Sequence, residues 1–586
     1  MYSNTNPTAE VSDKLTKLLN EKKSARDFQI RKHDDWNENY ELYRNKVKTN
    51  RLTQRQAVNI PLMKETIKTL LSGVDDAPTT SWKEKSGDEM KELLYQEIWE
   101  DFTRRCRVEQ QDILDKKNVF LYGLSTRKLN LVPEGVDMRV LDVFDVIYDP
   151  LTDPLDIETA RFIVHQNIFR PLREVLADDR YTKEGKDALK EWLASDKGII
   201  QSGKNKEEFE KRNERIRSMG LQNEKFGIFA GGDVLVNLTE HYSECWNPKL
   251  KKFERHVCVY ADDCIELLDE RLEDLIGMIL WPFVMWSEDP ETNDVYPDGI
   301  ADLVRTPNKL LNIWMSQLTE NRTLQNFQMH WYDSTNQGYQ PQTYEPGPGR
   351  MLPAPGDPNK TIMPVQINGL DETMNAIGFI TQIVERGTGA TALEKGTPES
   401  GAQTLGEVEI LVGKATERAK TMSKFYRGAG YDLSKKWDAL MQNNSFKKFT
   451  LYKTGRDGVM YEKIVYNSDW KSSAGYEPIV ASSSEQEADQ VKEIQKFGYI
   501  SQQYPNNAAL RKIMQSRSIK LVDLSPAEVK EIEEEEDRMA QQAMQQATMA
   551  QAMPQQGQPV PQQPMQTPQG EDISGEIEQL GQLMGV

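Results

Sequence analysis

The segment that most limits how this chain can fold lies between residues 333 and 370. It is rich in Pro, Gly, Gln and Asn and includes the run YEPGPGRMLPAPGDPNK at 344–360. Repeated prolines remove backbone donors and fix φ, so neither a helix nor a sheet interior can pass through it. The patterns on both sides are helical. Before it, Leu310, Leu311, Trp314, Met315 and Leu318 form one apolar stripe, with Lys309, Asn312, Gln317, Asn321 and Arg322 elsewhere on the helix. Thr306 and Pro307 carry the cap-then-proline signature of a helix start. After it, Met374, Ile377, Thr381 and Val384 line one side of a shorter helix over 371–386, which can lie against the first as an antiparallel partner. Residues 387–405 hold too little apolar surface to pack and read as a glycine-rich loop. A long helix over 406–442 follows, with Val408, Leu411, Val412, Ala415, Ala419, Met422 and Tyr426 at helical spacing.

The remainder alternates between helix and strand. Residues 11–48 suit one or two amphipathic helices through Leu15, Leu18, Leu19, Phe28, Trp36, Tyr40 and Tyr43. PLMKETIKTLLS at 61–72 is a second helix with Pro61 at its start and Gly73 after its last turn. Between 118 and 168, NVFLYGLSTRKLNLV, MRVLDVFDVIYD and ARFIVHQNIF read as strands separated by Gly, Pro and Asp. Residues 171–220 return to charged helix, and 234–268 predict a hairpin turning through NPKLKK. A second hairpin is expected around GRDG at 455–458, then helices to about 535. Residues 541–570 are dominated by Gln and Pro and are too polar to build a core. The fold class is therefore α+β and multi-domain, since 586 residues exceed what one hydrophobic core organises.

Composition narrows the function. Hydrophobic residues make up 38% and charged residues 28%, the balance of an ordered chain. No apolar run is long enough to span a bilayer. The N-terminus lacks the basic-then-apolar layout of a secretory signal, so the expected location is the cytoplasm. Four cysteines in a chain this long do not make a disulfide framework. A formal charge of −19 argues against gripping nucleic acid on a broad basic face.

Three constellations suggest chemistry, and each has a plainer reading. GTPESG at 396–401 has the glycine spacing of a phosphate loop but continues Ala402-Gln403 where Lys and Ser/Thr are needed. A flexible loop fits better. Asp142, Asp145, Asp149, Asp153 and Asp156 offer carboxylates for a metal-dependent nuclease or processing enzyme. However, Asp142 and Asp145 would point to opposite faces of a strand, and the two Asp-Pro pairs are turn chemistry. His241, Cys245, His256, Cys258 and Cys264 share one predicted hairpin without a CxxC knuckle, so buried thiols are favoured over a metal site. With neither GxSxG nor HExxH present, an enzyme is not expected.

The order of elements resembles the portal family of tailed bacteriophages, the head–tail connectors, in particular those of short-tailed phages. The segments that carry the likeness are VNIPLMKETIKTLLSGVDDAPTTSW at 58–82, DVFDVIYDPLTDPLD at 142–156, WPFVMW at 281–286, YPDGIADLVRTPNKLLNIWMSQLTENRTLQ at 296–325, and GATALEKGTPESGAQTLGEVEILVGKATERAKTMSKFY at 389–426.

The resemblance implies a non-enzymatic, cofactor-free subunit of a ring, commonly of twelve, at the capsid vertex of a virion. Double-stranded DNA would be packaged and ejected through it. Residues 1–297 would form the N-terminal helices and wing, 298–330 the first stem helix, 331–370 the clip and 371–386 the second stem helix. Residues 387–405 would form the tunnel loop, 406–476 a long wing helix and hairpin, 477–538 crown helices, and 539–586 a low-complexity tail. Implied partners are the large terminase, the major capsid and scaffolding proteins, and a head–tail adaptor, with no membrane. Lys309, Arg322 and Lys395 would touch DNA transiently, though each also reads as an ordinary solvated cation. Gly387, Gly389, Gly396 and Gly401 would be tunnel-loop hinges, and Tyr344, Arg350 and Met351 clip residues that dock partners. A ring of such acidic subunits would let DNA slide rather than bind it.

Overall fold

The computed structural model describes residues 13–45, 58–73, 79–218, 234–292, 294–326, 330–332, 357, 362–364, 371–389, 405–446, 448–454, 460–481 and 538. The chain forms two compact units, residues 1–493 and 494–586. Every element named here belongs to the first.

In chain order the first half begins with α1 (Asp13–Tyr43), α2 (Leu62–Gly73), β1 (Thr79–Glu84), α3 (Glu89–Arg105) and α4 (Val108–Tyr122). There follow β2 (Leu124–Val132), β3 (Gly135–Leu141), β4 (Val146–Tyr148), β5 (Phe162–Pro171), α5 (Leu172–Ala177), α6 (Lys183–Ala194) and α7 (Asp196–Ser218). The centre holds β6 (Leu235–Asn247), β7 (Lys252–Ala261), β8 (Ile265–Arg271), α8 (Leu272–Ile276) and β9 (Phe283–Ser287). Last come α9 (Ile300–Asn326), β10 (His330–Tyr332), β11 (Ile362–Pro364), α10 (Asp371–Thr388), α11 (Leu405–Asn443), β12 (Phe449–Thr454), β13 (Met460–Val465), α12 (Asn467–Trp470) and β14 (Tyr476–Ala481). The fold is mixed helix and sheet, in agreement with the α+β class.

Two sheets carry the architecture. The larger is antiparallel with order β4-β5-β6-β7-β8, and the smaller has order β3-β2-β9. Helix α1 covers one face of the larger sheet. Its Leu15 and Leu18 pack on Cys258 and Tyr260, and its Ala25 on Ile147, Phe162 and Val164. The opposite face gives Tyr242, Val257, Val259 and Leu268 to the main core, where Trp36, Phe120, Tyr122, Trp281, Phe283 and Tyr296 meet. A second core is aromatic. Trp437 of α11 lies between 4.9 and 5.7 Å from the rings of Trp82, Tyr95, Trp99 and Phe102, contacts worth about 0.5–1.5 kcal/mol each beyond their burial. Strand β1 pairs with β14 from Thr79↔Ala481 to Glu84↔Tyr476, so a segment near the start is zipped to one nearly 400 residues later.

The structure corrects several sequence expectations. Residues 118–122, read as strand, close helix α4, because four consecutive apolar residues, Val119–Tyr122, are buried all round and show no period. The predicted 234–268 hairpin is the first part of a three-strand run continuing into β8. Helix α9 begins at Ile300, not near Thr306, and Pro307 lies inside it. Its start is set by Asp302, whose Oδ2 accepts the Gly299 N–H at 2.9 Å in the manner of a capping box. The 477–538 stretch, read as helical, opens with strand β14. The hairpin around 455–458 forms as β12–β13.

Candidate functional site

The helix pair α9 and α10 pack against each other, and Leu311, Met315, Ile377 and Val384 join the main core. Between them β10 and β11 pair antiparallel, His330 opposite Pro364 and Tyr332 opposite Ile362. The described order is therefore helix, strand, strand, helix. Helix α10 runs two residues beyond the expected 386.

The polar residues of α9 are spent on the protein itself. Asn308, Asn312 and Ser316, at helical i, i+4, i+8 spacing, hydrogen-bond the backbone of residues 58–63, the lead into α2 and its first turn. Asn308 Oδ1 accepts from Met63 N at 2.9 Å, Asn312 Oδ1 from Ile60 N at 2.8 Å, and Ser316 Oγ from Val58 N at 3.0 Å. Backbone donors ahead of α2 and in its first turn, which have no partner within that helix, are satisfied here by one face of α9. Asn312, expected on a stripe facing solvent or a bore, is instead part of this clamp.

Lys309 is likewise engaged, with its Nζ 2.5 Å from Glu38 Oε1 on α1. It is a strut between helices rather than a free cation. Neighbouring Arg305 reaches Asp35 and Asp302 at 2.8 and 2.9 Å. Arg322, in the last turns of α9, is exposed and, among the described residues, donates to Gln325 Oε1 at 3.5 Å. Gly387 is the second-last residue of α10. Gly389 is the position that ends the helix, with φ +80° and its N–H donated to Glu385 O at 2.9 Å. Lys395, Gly396, Gly401, Tyr344, Arg350 and Met351 lie outside the described residues.

Both helices also leave large apolar side chains bare. Ile313 of α9 and Met374, Phe379 and Ile383 of α10 are between 42% and 58% exposed, unusual for large apolar side chains on helices otherwise anchored in a core.

A buried charge cluster fixes α11 behind this pair. Arg127 on β2 donates to Asp115 Oδ2 from Nε at 3.0 Å and Nη2 at 2.7 Å, and lies 3.3 Å from Asp112 Oδ1. Trp286 Nε1 donates to the same Asp115 oxygen. Tyr426 of α11 stacks over the cluster, its ring centre 5.1 Å from the Arg127 guanidinium and 4.7 Å from Lys116 Nζ. Burial alone would ease the proton off Arg127, but Asp115, Tyr426 and Asp112 more than offset it and hold its pKa above the ordinary value. Burial pushes Asp112 up against the pull of Arg127. The sequence signal is faint: two adjacent cations, Arg127 and Lys128, in a strand that also holds Leu124, Leu129, Leu131 and Val132. Lys128, on the opposite face, pairs with Glu240. Burial would raise the Glu240 carboxyl, yet Lys128 and His165 hold it well below the usual range.

The five aspartates do not converge. Asp142 accepts from Phe144 N in a short 3₁₀ turn rather than sitting on a strand, and buried Asp145 accepts from Asn167 Nδ2 at 3.0 Å. Asp149 takes both Arg161 nitrogens, at 2.5 and 2.8 Å. Asp153 and Asp156 accept the N–H groups of Leu155 and Glu158 at 2.9 and 3.0 Å. These are turn-forming contacts. His241 faces Cys258 across β6 and β7, fully buried beneath α1, where desolvation lowers its pKa against the pull of Glu21. His256 pairs with Ser243 and Cys245 with Glu254, while Cys264 sits in the β7–β8 turn. Among the described residues no three His, Cys, Asp or Glu side chains could hold a metal ion together. None of their helices is long and apolar enough to cross a membrane. No family model matches the chain, and no curated protein matches it.

Proposed function

We propose that this chain is a portal subunit. It forms a ring at a capsid vertex through which double-stranded DNA is packaged and ejected, with α9 and α10 as its stem. The observation that carries the reading is the helix pair with its intervening excursion. Both helices are rooted in one core through Leu311 and Val384, yet Ile313, Phe379 and Ile383 remain in solvent in the single chain. A pair of packed helices with an uncovered apolar side suits a heterologous contact that repeats around a cyclic axis. The order of elements, shared with the portal family, supports it. Arg322 is the candidate for transient phosphate contact, since it is exposed near the end of α9 while Lys309 is held by Glu38. On this reading the large terminase, capsid and scaffolding proteins and a head–tail adaptor are the partners, and no chemistry is assigned to the chain itself.

Rotationally averaged electron micrographs of the purified chain test the proposal. The expected result is a closed ring with a central channel. Only monomers or dimers across a range of salt and protein concentration would overturn it.

A further inference from the structure

One end of the five-stranded sheet carries a second exposed apolar surface, remote in sequence from α9 and α10. Three segments meet there: the 149–161 turn between β4 and β5, the 246–253 tip of the β6–β7 hairpin, and the 277–281 segment that leads to β9. The pairing Phe162↔Ser243 places the turn and the tip at the same end, and a single arginine ties all three together. Arg255 donates from Nη2 to Glu158 O at 2.9 Å and from Nη1 to Ile279 O at 3.3 Å, and Nη1 also meets the Glu158 carboxylate. Its guanidinium lies 4.3 Å from the centre of the Trp281 ring.

From this framework Leu151, Leu155, Trp246, Leu250, Phe253 and Ile279 project into solvent, each between 52% and 76% exposed. Single exposed apolar side chains need no explanation, but six large ones on three stapled segments mark a contact surface. The tip is held in shape before any partner arrives. Trp246 and Phe253 pair across the strands with ring centres 5.1 Å apart, and Asn247 Oδ1 accepts the N–H groups of Lys249 and Leu250 at 3.0 and 3.3 Å. A prearranged surface loses little entropy on docking.

The charges are divided. The hairpin tip carries the exposed Lys249, Lys251 and Lys252, and the first two make no ion pair among the described residues. The turn carries Asp153 and Asp156 beside Leu151 and Leu155. A lipid headgroup layer or a nucleic acid, being anionic throughout, would be attracted to the tip and repelled by the turn. A protein partner can satisfy both, and the surface supplies its own complement.

We propose that this end of the sheet docks a second copy of the chain, the aspartate–leucine turn of one copy against the lysine–aromatic tip of the other. The contact does not rest on the portal reading, since a pair of chains suffices for it. Opposite charge sets the register, and the apolar residues provide the buried area.

Sedimentation velocity of the full chain tests it with two variants that leave the turn contacts at positions 153 and 156 in place. Lys249→Glu/Lys251→Glu/Lys252→Glu makes the tip acidic, and Leu151→Lys/Asp153→Asn/Leu155→Lys/Asp156→Asn makes the turn basic, with the asparagine Oδ1 atoms still accepting the Leu155 and Glu158 N–H groups. Each alone is expected to self-associate at least roughly tenfold more weakly than wild type, with an unchanged circular dichroism melt. An equimolar mixture of the two restores association, because each acidic tip then meets a basic turn. Unchanged association in both variants, or no rescue on mixing, overturns the proposal. So does loss, in the lysine variant alone, of binding to phosphatidylserine vesicles or to single-stranded oligonucleotide with self-association intact. Rings that persist in micrographs of both variants, with association unweakened, would sink this contact and leave the portal reading standing.

Discussion

Lys436, buried two turns before the end of α11, sits 2.6 Å from Glu158 Oε1 in the turn that leads into β5. The same carboxylate receives Arg255 and, at 3.2 Å, the backbone N–H of Trp281. One acidic side chain thus joins the long helix to the end of the large sheet. Burial pushes the Glu158 carboxyl up, but Lys436 and Arg255 outweigh it and hold it below the ordinary range. Burial lowers Lys436 more than Glu158 raises it.

Removing one partner leaves the other charged and unpaired in the interior. Glu158→Gln is expected to cost about 3–5 kcal/mol of unfolding free energy, read by urea titration. The double change Glu158→Gln/Lys436→Met recovers much of that loss, because no orphan charge remains. A double variant as unstable as the sum of the singles would show that the pair is not coupled.

The Arg127 cluster makes a parallel prediction with a different signature. Arg127→Lys keeps the charge but loses the fork that grips Asp115 and the flat face under Tyr426. We expect a loss of about 2–4 kcal/mol despite the conservative charge, with Asp112 and Asp115 left only partly satisfied. Tyr426→Phe should be milder, since the ring contact survives. Equal stability of Arg127→Lys and wild type would show that charge alone matters there.

Much of the fold is legible in the sequence where local chemistry decides. Pro61 and Gly73 bracket α2, the NPKLKK turn joins β6 to β7, and the proline-rich run separates two helices. What escapes is set by distant partners. Nothing local in TTSWKE announces a pairing with YEPIVA at 476–481, and that pairing turns an expected helical region into a strand. Asn312 looks like part of a solvent-facing stripe because its partner, the Ile60 N–H, lies 252 residues away. The Thr306–Pro307 start signature misled because Asp302 caps the helix a turn and a half earlier. Proline in that interior position leaves the Leu303 carbonyl without its helical donor.

Glu288 predicts a pH dependence. It lies between β9 and α9, is almost fully buried, and its Oε2 meets no hydrogen-bond donor among the described residues. Burial pushes its pKa up to about 8, with Asp289 and Asp302 adding to the rise and the Ile300 N–H opposing it. A raised folded-state pKa means that the folded chain holds the proton more tightly. The stability this contributes is fully present below the unfolded value near 4.5 and is lost as pH rises through about 8. Thermal melts of wild type should therefore fall over that window, and Glu288→Gln should flatten the fall. The Glu158 carboxylate acts in the opposite sense, its contribution disappearing as the pH drops through its depressed pKa. An unaltered slope in Glu288→Gln would place the titration elsewhere.

Two glycines at the end of α10 separate a helix position from a cap, and with it locate where the chain leaves the helix pair. Gly387 lies within the helix, and a Cβ built there meets nothing within 4 Å. Gly387→Ala should therefore stabilise the chain by about 0.5–1 kcal/mol, because alanine loses less backbone entropy in a helix. Gly389 has φ +80°, a conformation that costs an L side chain roughly 1–2 kcal/mol. Gly389→Ala should destabilise by about that amount and fray the last turn that its N–H now closes onto Glu385. Chemical denaturation of the two variants side by side decides the matter. Opposite signs place the helix end between these residues, whereas two losses of similar size would move the hinge back to Gly387 and restore both glycines to the loop.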